Sequence, residues 1–136
     1  MSTGLNLAAR NNQVDFIAAQ YDAAATPGTI KVYSAPRPST GGGVGAAVLL
    51  GTYTLASTSF PASVNGQAVA NPIVDAPAIA VGTAYWARGE DGDGNFVKDV
   101  SVGLLGSGAE LKLKSLEVED GGTLKAPSYT IIAGNP

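Results

Sequence analysis

The feature that most constrains this chain is a change of hydrophobic period at Pro27-Gly28: apolar residues recur at helical spacing before it and alternate after it. Leu7, Val14, Ile17, Ala18 and Tyr21 recur at offsets of three, four and seven, while Arg10, Asn11, Gln13, Asp15 and Gln20 take other positions. The spacing predicts one amphipathic helix from Leu5 to Tyr21, with Ser2 or Thr3 as its cap. Ala25-Thr-Pro-Gly28 stops it, because Pro27 disfavours helix for Thr26 and Gly28 permits a reversal. A single amphipathic helix needs a surface to lie on. That surface is either an edge or open end of its own sheet, or a partner subunit.

Downstream the pattern is that of short strands. Gly28 to Tyr33 sets Ile30 and Val32 against Lys31 and Tyr33, and Ala47 to Ala56 sets Leu49, Gly51, Tyr53 and Leu55 against Thr52 and Thr54. Further strands are predicted at Gln67 to Val74 (broken by Pro72), Thr83 to Glu90, Asn95 to Val102, Leu111 to Glu119 and Ser128 to Ala133. Leu111 and Leu113 share a parity that Leu116 and Val118 do not. The slip near Ser115 predicts a β-bulge, or a bend that carries the strand from one sheet to another. Asp120-Gly-Gly122 reads as a hairpin turn. Seven or eight strands with 18 glycines and 8 prolines between and within them predict a mainly β fold, a single-domain antiparallel β-sandwich or jelly roll with an N-terminal amphipathic helix. The expected organisation is one domain over residues 1–136, with a helical segment at 1–25 and the sandwich at 28–136.

A length of 136 residues is enough to bury one core, and 22 of the 61 hydrophobic residues are alanine, so that core is built from small pieces. Charged residues make up 14% of the sequence and the net charge is -3, which leaves a weakly solvated surface with little repulsion to keep copies apart. Eight scattered Lys and Arg residues form no basic stripe, so direct nucleic-acid binding is not expected. The N-terminus does not look like a secretion signal, and the richest apolar stretch, Ala76 to Ala87, is interrupted by Pro77, Gly82 and Thr83. A soluble protein made in a cytoplasm, without membrane partners, is the expectation.

There is no cysteine and no histidine, which removes disulfides, thiolate nucleophiles, Cys-based metal sites and the commonest proton-transfer side group. Asp91, Asp93 and Asn95 open with the spacing of a calcium loop, but Phe96 stands where glycine is needed and Val102 where a bidentate glutamate belongs. A hairpin turn between Thr83–Arg88 and Phe96–Val100 is the better reading. Gly41-Gly-Gly-Val-Gly45 lacks the Lys-Ser/Thr of a phosphate cradle. Glu117, Glu119 and Asp120 read as a solvated strand face. Adjacent Tyr85 and Trp86 point to opposite sides of a strand, one toward the core and the other able to stack on a partner or a sugar. Ser34 to Gly45, stiffened by Pro36 and Pro38 and loosened by glycines, reads as an exposed loop. No enzymatic activity is expected, and no catalytic, cofactor-binding or metal-ligating residue is assigned.

The sequence resembles small virion proteins of tailed bacteriophages. The likeness is carried by the amphipathic segment Leu5 to Ala24, the strand and Pro/Gly-rich loop Gly28 to Gly43, and the small-residue stretch Val64-Asn-Gly-Gln-Ala-Val-Ala-Asn71. It extends to the aromatic hairpin from Gly82-Thr-Ala-Tyr-Trp-Ala-Arg88 to Val100-Ser-Val-Gly103 and to a terminal β pair. The resemblance implies a non-catalytic structural role in the virion, first as a head decoration or cement protein that binds the major capsid protein and copies of itself. A tail, baseplate or fibre component is the neighbouring alternative, and a carbohydrate-binding module using Trp86 or Tyr85 the more distant one. The N-terminal segment and the Pro36 to Gly45 loop are the expected contacts.

Overall fold

The computed structural model describes residues 6–125 and 127–132. One helix, α1 (Leu7–Tyr21), precedes eleven short strands: β1 (Thr29–Tyr33), β2 (Leu49–Thr54), β3 (Gln67–Val69), β4 (Ala76–Pro77), β5 (Gly82–Thr83), β6 (Trp86–Glu90), β7 (Phe96–Leu104), β8 (Leu111–Leu113), β9 (Glu117–Val118), β10 (Thr123–Leu124) and β11 (Ser128–Ile132). Seven of them form one sheet in the order β2-β1-β6-β7-β8-β11-β3, and β4–β10 and β5–β9 form two small pairs. The fold is mainly β with an N-terminal helix, as the periodicity predicts. Every pairing is antiparallel except that of β7 with β8.

The helix ends at Tyr21 as expected, with Asp22 as its C-cap. Its N-cap is Asn6, whose side chain accepts from the Ala9 N–H at 2.8 Å; Ser2, Thr3 and Leu5 lie outside the described residues. Of the predicted apolar face, Val14, Ala18 and Tyr21 are buried and Ile17 is packed at the margin, whereas Leu7 is exposed. The face turns toward the protein's own sheet, against β3, β11 and β7. The segment before β3 straps the helix down: Ser59 N–H donates to Asp22, Ser63 N–H to Asp15 Oδ1 and Gly66 N–H to Asn11 Oδ1.

Several strands differ from the sequence expectation for identifiable reasons. In β2 it is Leu50 rather than Leu49 that is fully buried, because the β1–β2 register shifts between Val32 and Tyr33 and turns one residue over. The predicted strand Thr83 to Glu90 divides at Ala84-Tyr85 into β5, which pairs with β9, and β6, which enters the large sheet. Gln67 to Val74 keeps strand pairing only over Gln67–Val69. The slip near Ser115 does pass the backbone between sheets, with β8 in the large one and β9 paired with β5. Asp120-Gly-Gly122 does make a tight turn, with the Gly122 N–H bonded to the Glu119 carbonyl at 2.9 Å and Gly121 at φ 83°, but it makes no hairpin. Its flanking strands go to different partners, β9 to β5 and β10 to β4. Ala133 lies outside the described residues.

One hydrophobic cluster joins α1, the inner face of the large sheet and both small pairs, running from Val14 to Ile131. Two of its bulky members, Tyr21 and Leu124, sit on glycines. A Cβ at Gly89 would lie 2.0 Å from the Tyr21 hydroxyl, and one at Gly51 would lie 2.4 Å from Leu124 Cδ1. In the centre, the Tyr21 and Tyr129 hydroxyls share a buried 2.8 Å hydrogen bond, with the Phe60 ring 5.9 and 5.4 Å from theirs. Burial raises the pKa of both phenols, so both stay neutral across the working pH range. Tyr21→Phe leaves the Tyr129 hydroxyl buried without its partner. It is expected to cost about 1–3 kcal/mol in urea denaturation with an unchanged m-value.

Candidate interaction surface

Opposite the core, strands β1, β6 and β7 place Tyr33, Trp86, Arg88 and Asp99 on the outer face of the sheet, where registry sets Tyr33 beside Trp86 and Arg88 beside Asp99. These groups are buried nonetheless. The Tyr33 and Trp86 rings stack at 4.6 Å, and the Arg88 guanidinium lies 5.2 Å from the Trp86 ring centre and 5.3 Å from that of Phe96. Arg88 makes a two-point ion pair with Asp99, Nε to Oδ1 at 2.7 Å and Nη2 to Oδ2 at 3.1 Å. Lys31 and Glu90 extend the row with a 2.9 Å ion pair at the margin.

The cover is the Pro/Gly-rich loop. Gly41 N–H donates to Asp99 Oδ2 at 2.9 Å, Trp86 Nε1–H donates to the Ser34 carbonyl at 3.0 Å, and Arg37 reaches the Asp99 carbonyl at 3.4 Å. Gly41 comes close to the Phe96 ring, where a Cβ would sit 3.4 Å away. The loop is therefore anchored along one side rather than fully free, while Ser39, Thr40, Gly41, Gly43 and Gly45 stay at least partly exposed. Burial by itself raises the Asp99 pKa. The hydrogen bonds from Arg88 and Gly41, with the charges of Arg88 and Arg37, outweigh it and hold the carboxyl below its ordinary value.

Beside this covered face lies an open apolar rim. Ser34 N–H donates to the Val48 carbonyl, Ile79 N–H to the Leu50 carbonyl and Tyr85 N–H to the Tyr33 carbonyl, while Gly82 sits against Leu50 and Ser34. These contacts gather Val48, Ile79, Val81 and Tyr85 around one end of β1 and β2, with exposures of 46, 56, 71 and 57%. Scattered single apolar residues on a surface are ordinary, but a gathered set is characteristic of an interaction site. A signal for it exists in the sequence: between Arg37 and Arg88 the only charged residue is Asp75.

The other candidates resolve locally. Asp91 Oδ1 accepts from the N–H groups of Asp93 and Asn95, and Asp91 Oδ2 from Asn95 Nδ2, so its carboxylate serves the turn. The Asn95 hydrogen bonds, backbone first, lower its pKa. Phe96 lies over Arg88 and Val102 pairs with Leu111, outside any ligand shell. Among the described residues no three His, Cys, Asp or Glu side chains are placed to hold a metal, and no helix is long and apolar enough to cross a membrane. Glu117 accepts from Thr83 Oγ1 on the exposed β9–β5 pair. Trp86 is the buried ring of the aromatic pair and Tyr85 the exposed one.

Comparison with known proteins found no matching family model, no matching curated protein and no matching solved structure.

Asp99→Asn removes one partner of a buried ion pair and is expected to cost about 3 kcal/mol, with faster cleavage of the Ser34 to Gly45 loop by a broad-specificity protease. The pH sign follows from the depressed carboxyl: its stabilisation is complete above the unfolded-state value and is lost as pH falls through the lower folded-state one. Acid titration of unfolding free energy should thus be flatter in the Asn variant than in the parent.

Proposed function

We propose that this protein is a non-catalytic structural component of a tailed-phage particle, a head decoration protein that docks on the capsid through the rim of Val48, Ile79, Val81 and Tyr85. The observation that carries the docking surface is the gathering of exposed apolar side chains in a part of the sequence nearly free of charge. Exposed apolar side chains lose little solvation on contact, which suits a protein bound in many copies. The anchored Pro/Gly loop beside the rim presents a backbone already partly ordered, which lowers the entropy lost on docking. The phage particle itself rests on the sequence resemblance.

Binding to the assembled shell in preference to its free subunits would stabilise the shell by mass action, each copy adding a modest energy. The sugar-binding alternative is left with Tyr85 alone, since Trp86 lies beneath the loop. The inner face of α1 is occupied by its own sheet, so a contact from the helix would use its outer face, where Phe16 is exposed.

The test is immunogold labelling of purified particles together with saturation binding to isolated expanded capsids. Label on heads, saturable binding and a stability gain of the shell are the expected results. Val81→Asp, at an exposed position, should lower capsid affinity at least tenfold while leaving thermal stability within about 0.5 kcal/mol of the parent. Co-fractionation with tails, or capsid binding unchanged in the Asp variant, refutes the reading or its surface.

A further inference from the structure

The turn that leads into β3 holds the one Asn-Gly pair in the sequence, Asn65-Gly66. Both residues have positive φ, 55° and 74°, and they form the tip of a tight turn closed by mutual backbone hydrogen bonds of Val64 and Gln67. The tip is pressed onto the first turns of α1. Asn65 is exposed and Gly66 buried; Arg10 Nη2 donates to the Asn65 carbonyl at 3.1 Å, and Gly66 N–H donates to Asn11 Oδ1 at 2.8 Å. A Cβ at residue 66 would lie 2.6 Å from the Arg10 guanidinium, so glycine is what allows the close approach.

We propose that Asn65 is a spontaneous deamidation site gated by α1, its reactivity held down by the Asn11–Gly66 hydrogen bond and released when the helix lifts. In the reaction, the Gly66 nitrogen gives up its proton to water or hydroxide and attacks Cγ of Asn65, the carbon of its amide group. The new bond from nitrogen to Cγ closes a five-membered succinimide, and the Cγ–Nδ2 bond breaks as the departing amide nitrogen takes a proton from water and leaves as ammonia. Water then opens the ring at either carbonyl, leaving aspartate or isoaspartate; the net change is addition of one water and loss of one ammonia.

Two observations bear on the gate. The attacking nitrogen's proton is committed to Asn11 Oδ1, and Gly66 is buried from the base that must remove it. Glycine supplies no side group to hinder attack once the gate opens. The isoaspartate product routes the backbone through an extra methylene, so the two-residue turn can no longer satisfy the Val64–Gln67 pair and the Asn11 contact together. A transient lifting of the helix thereby becomes a permanent chemical change at the hairpin that straps it.

The test incubates the full-length protein at mildly alkaline pH and follows residue 65 by peptide mass spectrometry with isoaspartate detection. The folded protein should react several-fold more slowly than the same protein in denaturant. Asn11→Ala should accelerate the folded protein about five-fold, the ratio expected for removing one ordinary hydrogen bond from the gate. Asn11→Asp, which keeps the acceptor, should remain slow, with helix content of both variants checked by circular dichroism. Equal rates for the folded and denatured parent overturn the gate, as does a folded Asn11→Ala variant with the parent's rate. Should Asn11→Ala lose its helix, amide exchange in the parent decides: a protected Gly66 N–H supports the gate and a freely exchanging one refutes it.

Discussion

Tyr21 can reach the sheet only because residue 89 has no side chain. The phenol occupies the space that a Cβ at Gly89 would fill, and from there its hydroxyl meets that of Tyr129 on β11, three strands along the same sheet. The contact ties the last turn of α1 to β6 and β11 at once. It also shows how a sequence poor in aromatic residues fills its centre: one large ring is set on glycine, and alanines take many of the smaller core positions. Leu124 over Gly51 repeats the device where β10 lies on β2. Such seats have little tolerance, because an added methyl group meets packed atoms rather than solvent.

With the helix held at Tyr21, the segment from Ser59 to Gly66 bonds along it through Asp22, Asp15 and Asn11, and so delivers β3 to the edge of the large sheet. The helix thus organises a sheet edge as well as covering a core. The opposite face follows a different rule. There Arg88 and Asp99 satisfy each other, the Trp86 and Phe96 rings flank the guanidinium, and the Pro/Gly loop supplies an N–H to the carboxylate. The carboxylate thereby joins the loop to β6 and β7, through Gly41 N–H and the Arg88 guanidinium. The surface is thereby divided into an anchored loop and, beside it, a rim of exposed apolar side chains next to the β5–β9 pair, where Glu117 is exposed.

Much of the local structure was legible in the sequence. The spacing from Leu7 to Tyr21 located the helix and its end, the parity change near Ser115 located the passage between sheets, and Asp-Gly-Asp-Gly-Asn marked the β6–β7 turn. The apolar rim was less so. Val48 lies more than thirty residues from Ile79, Val81 and Tyr85 in sequence, and only the crossing of the 79–85 segment over the ends of β1 and β2 brings them together. Arg88 and Asp99 were hidden for a related reason: a register shift between Gly89 and Glu90 decides which β7 residue faces the arginine.

Residue order carries the period of each segment, and with it a helix followed by short strands, the places where turns must fall, and a core assembled from small residues. Which strands pair, that Gly89 receives the Tyr21 ring, and that the loop after β1 folds back onto Asp99 are set by the packed fold. Periodicity and turn chemistry act between near neighbours in sequence. Seats, ion pairs and sheet order depend on contacts between residues tens of positions apart, and those are chosen by the packing of the whole.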